Sequence, residues 1–269
     1  MLRQFDQLCL KTKAKSMALG RRLYTFKSEG KNYWLKLQLQ DSHATSKAGF
    51  EHELSFYQKQ GSYDFVLPVQ FLEIDDFFQE EVYMWGMVLP HADPYFTDHQ
   101  ISSMTLSQTK QYIEKALQSL ANMHASGWIH GDLKTEHFAK YQEHVYLIDF
   151  EQSQQINAKN ALTMTATPHY MAPELFHGSP KTIQSDLYAI GVILYEWLTA
   201  QRFTARSYQD WAVLHCQQLN IELPENKQCF FPLLNGLLNK QQNLRFNDVN
   251  QALKVLNLTK NADIINISF

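Results

Sequence analysis

The order of apolar and polar positions divides the chain in two. Over the first hundred residues, short β-prone runs alternate with polar turns. "RRLYTFKSEGKNYWLKLQLQ" holds two such runs, residues 23–26 and 33–39, on either side of "SEGK", and this pattern predicts a hairpin. In "GFEHELSFYQKQGS", Phe50, Leu54 and Tyr57 recur at helical spacing and Gly61 supplies a stop signal. "VLPVQFLEI" and "EVYMWGMVLPHA" read as further strands.

From Thr105 onward the period lengthens. "LSQTKQYIEKALQSLANMHASG" puts Ile113, Leu117 and Leu120 on one face and ends at Gly127, which predicts a helix. "VYLIDF" reads as a short apolar strand, and "SDLYAIGVILYEWLTA" is apolar nearly all round, as a helix buried in a core would be. "FFPLLNGLLNK" and "VNQALKVLNL" continue the helical pattern, and no internal repeat or low-complexity tract interrupts it. The expected architecture is a β-rich part over residues 1–92 and a helical part over residues 93–269.

Composition narrows the class. The 269 residues are 45% apolar, enough for a substantial core, and 19% charged, which argues against disorder. With 24 basic and 27 acidic residues the formal charge is −3, which gives no reason to expect a nucleic-acid partner or an acidic membrane. Cys9, Cys216 and Cys229 are scattered and odd in number, so neither a disulfide framework nor a zinc site is expected, and a reducing compartment is the simplest reading. The start lacks a long apolar signal region and the chain lacks an 18-residue apolar run. The expectation is a soluble cytoplasmic protein with no membrane span.

Four short motifs carry candidate chemistry. They are a strand lysine, Lys36 in "YWLK"; then "HGDLKTEH"; then "LIDF"; and finally "TPHYMAPE" followed by "SDLYAIG". Each alone is weak: Lys36 could be an edge-strand lysine kept for solubility, Asp132 a turn acid and Asp149 a strand-end cap. In this order and spacing, over roughly residues 23–256, the set resembles the protein-kinase superfamily.

That resemblance implies an α+β, bilobal protein-kinase-like fold with a small β-rich N-lobe and a larger α-helical C-lobe. It implies Mg·ATP as donor, with one or two Mg²⁺ ions. Phosphoryl transfer spreads negative charge over the moving oxygens, so its catalysts position and neutralise more than they react. Lys36 would hold the α- and β-phosphates and be held in turn by Glu53, with Glu51 as the alternative. Asp132 would orient the acceptor hydroxyl, Lys134 would approach the γ-phosphate, and Thr167 would hydrogen-bond both. Gly20, Leu89 and His91 would join Lys36 and Asp149 in binding the nucleotide, and Asp149 and His137 would ligate metal. His130 and Phe150 resemble spine residues that pack with Tyr57. Asp186 would accept backbone N–H groups of the catalytic loop, Gly191 would allow close packing, and Glu174 would pair with Arg245.

Several positions depart from the family pattern. Counting back from Lys36, the phosphate-covering loop reads "KSMALG", with Gly20 alone retained; Lys15 and Met17 imply a stiffer or displaced loop. Trp34 stands where the family keeps a small alanine against adenine. Gly131 replaces the arginine that pairs with a phosphorylated activation segment, so activity independent of phosphorylation at Ser153, Thr163 or Thr165 is expected. Glu151 replaces the glycine after "DF", a second carboxylate that would bind metal or repel nucleotide. His137 replaces a metal-binding asparagine, or merely supports its loop.

The expected function is an ATP-dependent Ser/Thr protein kinase acting on a protein substrate. The first alternative is a small-molecule or glycolipid kinase, since His137–Phe138 and the poor glycine loop also resemble lipopolysaccharide-core sugar kinases. The second is a pseudokinase acting as a binding module.

Overall fold

The computed structural model describes residues 5–74, 77–97, 101–158 and 166–259, apart from the side chains of Phe77 and Met84. The chain forms two compact units, one of residues 1–93 with 141–151 and one of residues 94–140 with 152–269. The first is β-rich and the second helical, an α+β architecture of the expected kind.

In the first unit β1 (Asp6–Leu10), β2 (Arg21–Ser28), β3 (Lys31–Leu39), β4 (Gln70–Glu73), β5 (Phe77–Phe78) and β6 (Glu81–Pro90) form one sheet. Its path runs β1-β2-β3-β6-β4, with β5 paired to β6. The expected hairpin is β2–β3, closed by Ser28 opposite Lys31. Glu29 and Gly30 carry the turn at φ +50° and +74°, as a two-residue turn with the right-handed strand twist requires. Alternation along these strands sends Tyr24, Phe26, Leu35 and Leu37 into one core with Tyr83 and Val88. Lys36, between two core leucines, points to the opposite face.

Between β1 and β2 lies a short helix, α1 (Ala14–Ala18). The longer α2 (Ala44–Gln60) starts earlier than its apolar repeat and stops at Gly61 as expected, burying Phe50, Glu53, Leu54, Phe56 and Tyr57. The segment 141–151 joins this unit through the Leu147 amide, which donates to the Phe65 carbonyl at 2.8 Å.

The second unit is built from α3 (Leu106–Ala125), α4 (Pro173–Phe176), α5 (Ile183–Thr199), α6 (Tyr208–Val213), α7 (Phe231–Leu237) and α8 (Val249–Leu258). α3 begins with a reciprocal cap between Thr105 and Gln108 and buries Ile113, Leu117 and Leu120, the face its periodicity marks. α5 is capped by Thr182 and Ser185 and is buried nearly all round. A Cβ on Gly191 would lie 2.9 Å from both Leu237 Cβ and Leu238 Cδ2, so glycine is what lets this helix approach its neighbours. Short strands β7 (Asp93–Pro94), β8 (Trp128–Ile129), β9 (Phe138–Tyr141), β10 (His144–Leu147) and β11 (Gln154–Gln155) complete the regular structure, with β8 paired to β11. The strand expected over "VYLIDF" ends at Leu147: Asp149 takes φ +66°, which no strand accommodates, and Phe150 opens a 3₁₀ turn.

Candidate active-site residues

Strand β3 and helix α2 bring Lys36 and Glu53 together. The Lys36 ammonium forms an ion pair with Glu53 Oε2, while Glu51 is exposed, so of the two candidate partners the structure selects Glu53. The reason lies in α2: Phe56 and Tyr57, one turn on from Glu53, are buried, and Phe56 stacks on Phe150 at 4.2 Å. Tyr57 meets the same ring edge-on at 5.3 Å. The Phe150 amide reaches Glu53 Oε1 at 3.3 Å.

Two more carboxylates share Lys36: Glu151 Oε1 at 2.9 Å and Asp149 Oδ1 at 3.5 Å. Glu151 is itself bound by the guanidinium of Arg21, at the start of β2. Burial pulls the Lys36 ammonium down, but Glu53, Glu151 and Asp149 outweigh it and hold the group well above the usual lysine value. Burial pushes Glu53 up to about 7 against the pull of Lys36, and the two neighbouring carboxylates add to the rise. The acids raise Lys36 against burial, whereas burial itself leads the rise at Glu53.

Oxygen atoms of Glu53, Asp149 and Glu151 lie within 4.8 Å of one another, a hard-oxygen set that fits a divalent cation such as Mg²⁺. Glu53 is engaged by Lys36 and the Phe150 amide, and Asp149 is the most exposed of the three, with its side chain 33% accessible. Asp149 is therefore the residue best presented to a metal.

The other expected nucleotide contacts look different in place. The stretch expected as a phosphate-covering loop is α1. Gly20 ends it at φ +81°, and its amide donates to the Met17 carbonyl at 2.9 Å. That glycine is a helix stop, with its N–H already committed inside the unit. Trp34 turns to His91: its indole N–H donates to His91 Nδ1 at 2.9 Å. The His91 amide donates to the Asn32 carbonyl at 3.0 Å, and Leu89 sits opposite Trp34 in the β3–β6 register.

In the second unit the loop after β8 carries Asp132. Its carboxylate holds the Lys134 ammonium at 2.9 Å and accepts the Thr167 amide at 2.8 Å. Of the two bonds expected from Thr167, the one to Asp132 is thus present, through the Thr167 backbone amide. The loop is fixed from below by Asp186 on α5, which accepts the His130 and Gly131 amides at 2.8 and 2.9 Å and faces His124 Nε2 at 3.0 Å. Burial alone would raise the Asp186 pKa, but His124, His130 and the Gly131 amide hold it below the usual carboxylate value. His137 is buried in the 3₁₀ turn that follows, its ring stacked on His130 at 5.3 Å. Glu174 and Arg245 form the expected ion pair, and its geometry is bidentate, at 2.8 and 3.0 Å. Thr163 and Thr165 lie outside the described residues.

Sequence reasoning missed two cations. Arg21 follows Gly20 and reads as one more basic residue of "GRR". Lys181, in "SPKT", is buried, and its side chain fills the space beside Gly131, where a Cβ would lie 2.9 Å from Lys181 Cδ. Burial lowers its ammonium below the usual lysine value, while Asp132 and Asp186 draw it back up. For Arg21 the available signal was strand register, and for Lys181 no short-range signal exists.

A family model of the protein kinase domain matches residues 27–256. A probable serine/threonine-protein kinase of Dictyostelium discoideum is 40% identical over 85 residues, 31% of this chain and 6% of that protein. The probable serine/threonine-protein kinase PknB of Lactococcus lactis is 33% identical over 140 residues, 47% of this chain and 22% of that protein. A serine/threonine-protein kinase of Saccharomyces cerevisiae is 30% identical over 181 residues, 64% of this chain and 26% of that protein. The chain thus spans between 6% and 26% of the length of these relatives. Among the described residues, no helix is long and apolar enough to cross a membrane.

Proposed function

This chain belongs to the protein kinase domain family, and from that premise we propose that it transfers the γ-phosphoryl group of ATP to a serine or threonine hydroxyl of a protein. The observation that carries this reading is the formed Lys36–Glu53 ion pair, with Asp149 on the same ammonium. A lysine fixed by a buried acid is a preorganised cation, and preorganised charge is what phosphoryl transfer asks of a protein. Lys36 binds and orients the phosphates. Asp149 would hold Mg²⁺, which when bound would offset charge on the phosphate oxygens. Asp132 takes or orients the proton of the acceptor hydroxyl, and Lys134, 2.9 Å from it, neutralises the transferred group. The Glu174–Arg245 pair and the Asp132–Thr167 bond give the stretch "TPHYMAPE" a fixed course, which supports a protein acceptor over a small molecule.

The test is transfer of label from γ-labelled ATP to a generic protein substrate by the wild type, Lys36→Met and Asp132→Asn. The wild type is expected to label the substrate, and either substitution to lower the rate by about 10²–10⁴-fold. A wild type that binds Mg·ATP yet labels no protein, itself included, would falsify the protein-kinase reading and leave a small-molecule kinase or a binding module.

A further inference from the structure

The family's usual phosphate donors are backbone amides of a glycine loop, and here a helix stands in that place. Four amides of this stretch are committed locally: Ser16 and Met17 donate to the Lys13 carbonyl at 2.9 and 3.0 Å, Leu19 to Ser16 at 3.1 Å and Gly20 to Met17 at 2.9 Å. Those four amides are not free for phosphate, which turns attention to side-chain donors. The residue that follows the helix is Arg21.

Strand register brings Arg21 to the right face. Leu23 lies directly opposite Lys36 in the β2–β3 pairing, and Arg21 opposite Gln38. Directly opposed residues share a face, and so do residues two apart on one strand. Arg21 is thus a diagonal neighbour of Lys36 on the face turned away from the core, while Arg22 and Tyr24 point the other way and are buried. The guanidinium reaches the same acid as Lys36: Arg21 Nη2 pairs with Glu151 Oε2, and Lys36 Nζ lies 2.9 Å from Glu151 Oε1. The Arg21 side chain is 32% accessible, and its buried Nε–H makes no hydrogen bond. A guanidinium offers five donors in a planar fork suited to phosphate, and this one has capacity to spare.

Charge points the same way. Lys36 and Arg21 face Glu53, Asp149 and Glu151, two cations against three anions. Without Arg21 a single ammonium would meet three carboxylates, and a polyphosphate would be repelled.

We propose that Arg21 binds the nucleotide's phosphates jointly with Lys36, in the role that loop amides play elsewhere in the family. The Glu151 carboxylate engages both cations, and phosphate oxygens would compete with it for them. This rests on the kinase reading, because it concerns the same nucleotide.

The test is calorimetric titration of the full chain with ATP, ADP, AMP and adenosine, each with and without Mg²⁺. Arg21→Ala is expected to weaken ATP binding by roughly ten- to a hundredfold, ADP and AMP progressively less, and adenosine not at all. Arg21→Lys recovers part of the loss. Glu151→Gln is expected to tighten ATP binding without Mg²⁺, because the competitor has lost its charge. Arg21→Ala alone leaves Glu151 with one cation fewer, so Arg21→Ala/Glu151→Gln is the variant that keeps the fold free of that strain; it too should bind ATP more weakly than Glu151→Gln. A wild type that binds ATP beside an Arg21→Ala protein that binds it equally well overturns the inference alone. An equal loss for ATP and adenosine also overturns it, since that marks a structural role. A wild type that binds none of the four removes both the inference and the reading beneath it.

Discussion

His215 is fully buried, its Nδ1 3.0 Å from the Tyr188 hydroxyl, and its ring stacks near Trp211 and Phe176. Burial drives its pKa down to about 4. A histidine whose folded pKa lies below its unfolded value of about 6.5 favours the folded state while neutral, and that contribution disappears as pH falls. The window runs from about pH 6.5 down to about 4, and the loss amounts to about 3 kcal/mol at most. Glu53, raised to about 7, has the opposite sense over the same range, so the His215 share is read as a difference: urea unfolding at pH 7 and pH 5 should show a less unfavourable change on acidification in His215→Gln than in the wild type. An unchanged slope in the variant would mean that another group carries the effect. Asp186 has the same sense but a lower window: its folded pKa is depressed, so its contribution persists until the pH falls below the usual carboxylate range.

Elements are tied together by single buried groups of this kind. Arg245, in the loop before α8, is 3% exposed and pairs with Glu174 on α4. The same guanidinium donates to the Gln184 carbonyl at 2.7 Å and the Asn239 carbonyl at 3.1 Å, and lies over the Tyr188 ring at 5.0 Å. One cation thus joins α4, the first turn of α5 and the loop after α7. Removing one partner of a buried pair strands the other charge, at a cost of about 3–5 kcal/mol, whereas removing both costs far less. Arg245→Met should therefore lower the unfolding free energy by about that amount, and Glu174→Gln added to it should restore part of the loss. Strictly additive losses in the double-mutant cycle would argue that the pair has no coupling. The helix in place of the glycine loop is also an element-scale fact: once Ala14–Ala18 folds as α1, the Met17, Leu19 and Gly20 amides bond within that turn.

At the scale of the whole molecule, the arginine missing beside Asp132 bears on regulation. Gly131 adopts φ +76°, and a Cβ there would lie 2.6 Å from the Gln152 carbonyl. Lys181 occupies the adjoining space, a cation internal to the fold beside the Asp132 loop. With no arginine at that position, a phosphorylated activation segment has one fewer partner. Ser153 is fully buried and out of reach of a modifying enzyme. Replacing Ser153, Thr163 and Thr165 by alanine, singly and together, should leave phosphotransfer within about twofold of the wild type once fold is verified, since the position that would hold the phosphate-pairing arginine is Gly131. Loss of transfer in a folded Thr163→Ala or Thr165→Ala protein would show that a phosphate is required after all.

The sequence by itself determined what depends on short-range order. Period two and period 3.6 marked the β2–β3 hairpin and α3, because side-chain direction repeats with the backbone. The order of motifs marked Lys36, Asp132 and Asp149, and Phe56 and Tyr57 singled out Glu53 through helical neighbourhood. Tertiary structure alone decided what depends on residues far apart in the chain. Arg21 and Glu151 are 130 positions apart, and their meeting at Lys36 follows from strand register and from the return of residues 141–151 to the first unit. Lys181 beside Gly131 and the turn of Trp34 toward His91 are of the same kind. Local pattern fixes which way a side chain leaves its own element, whereas the charge it meets there is supplied by another part of the chain.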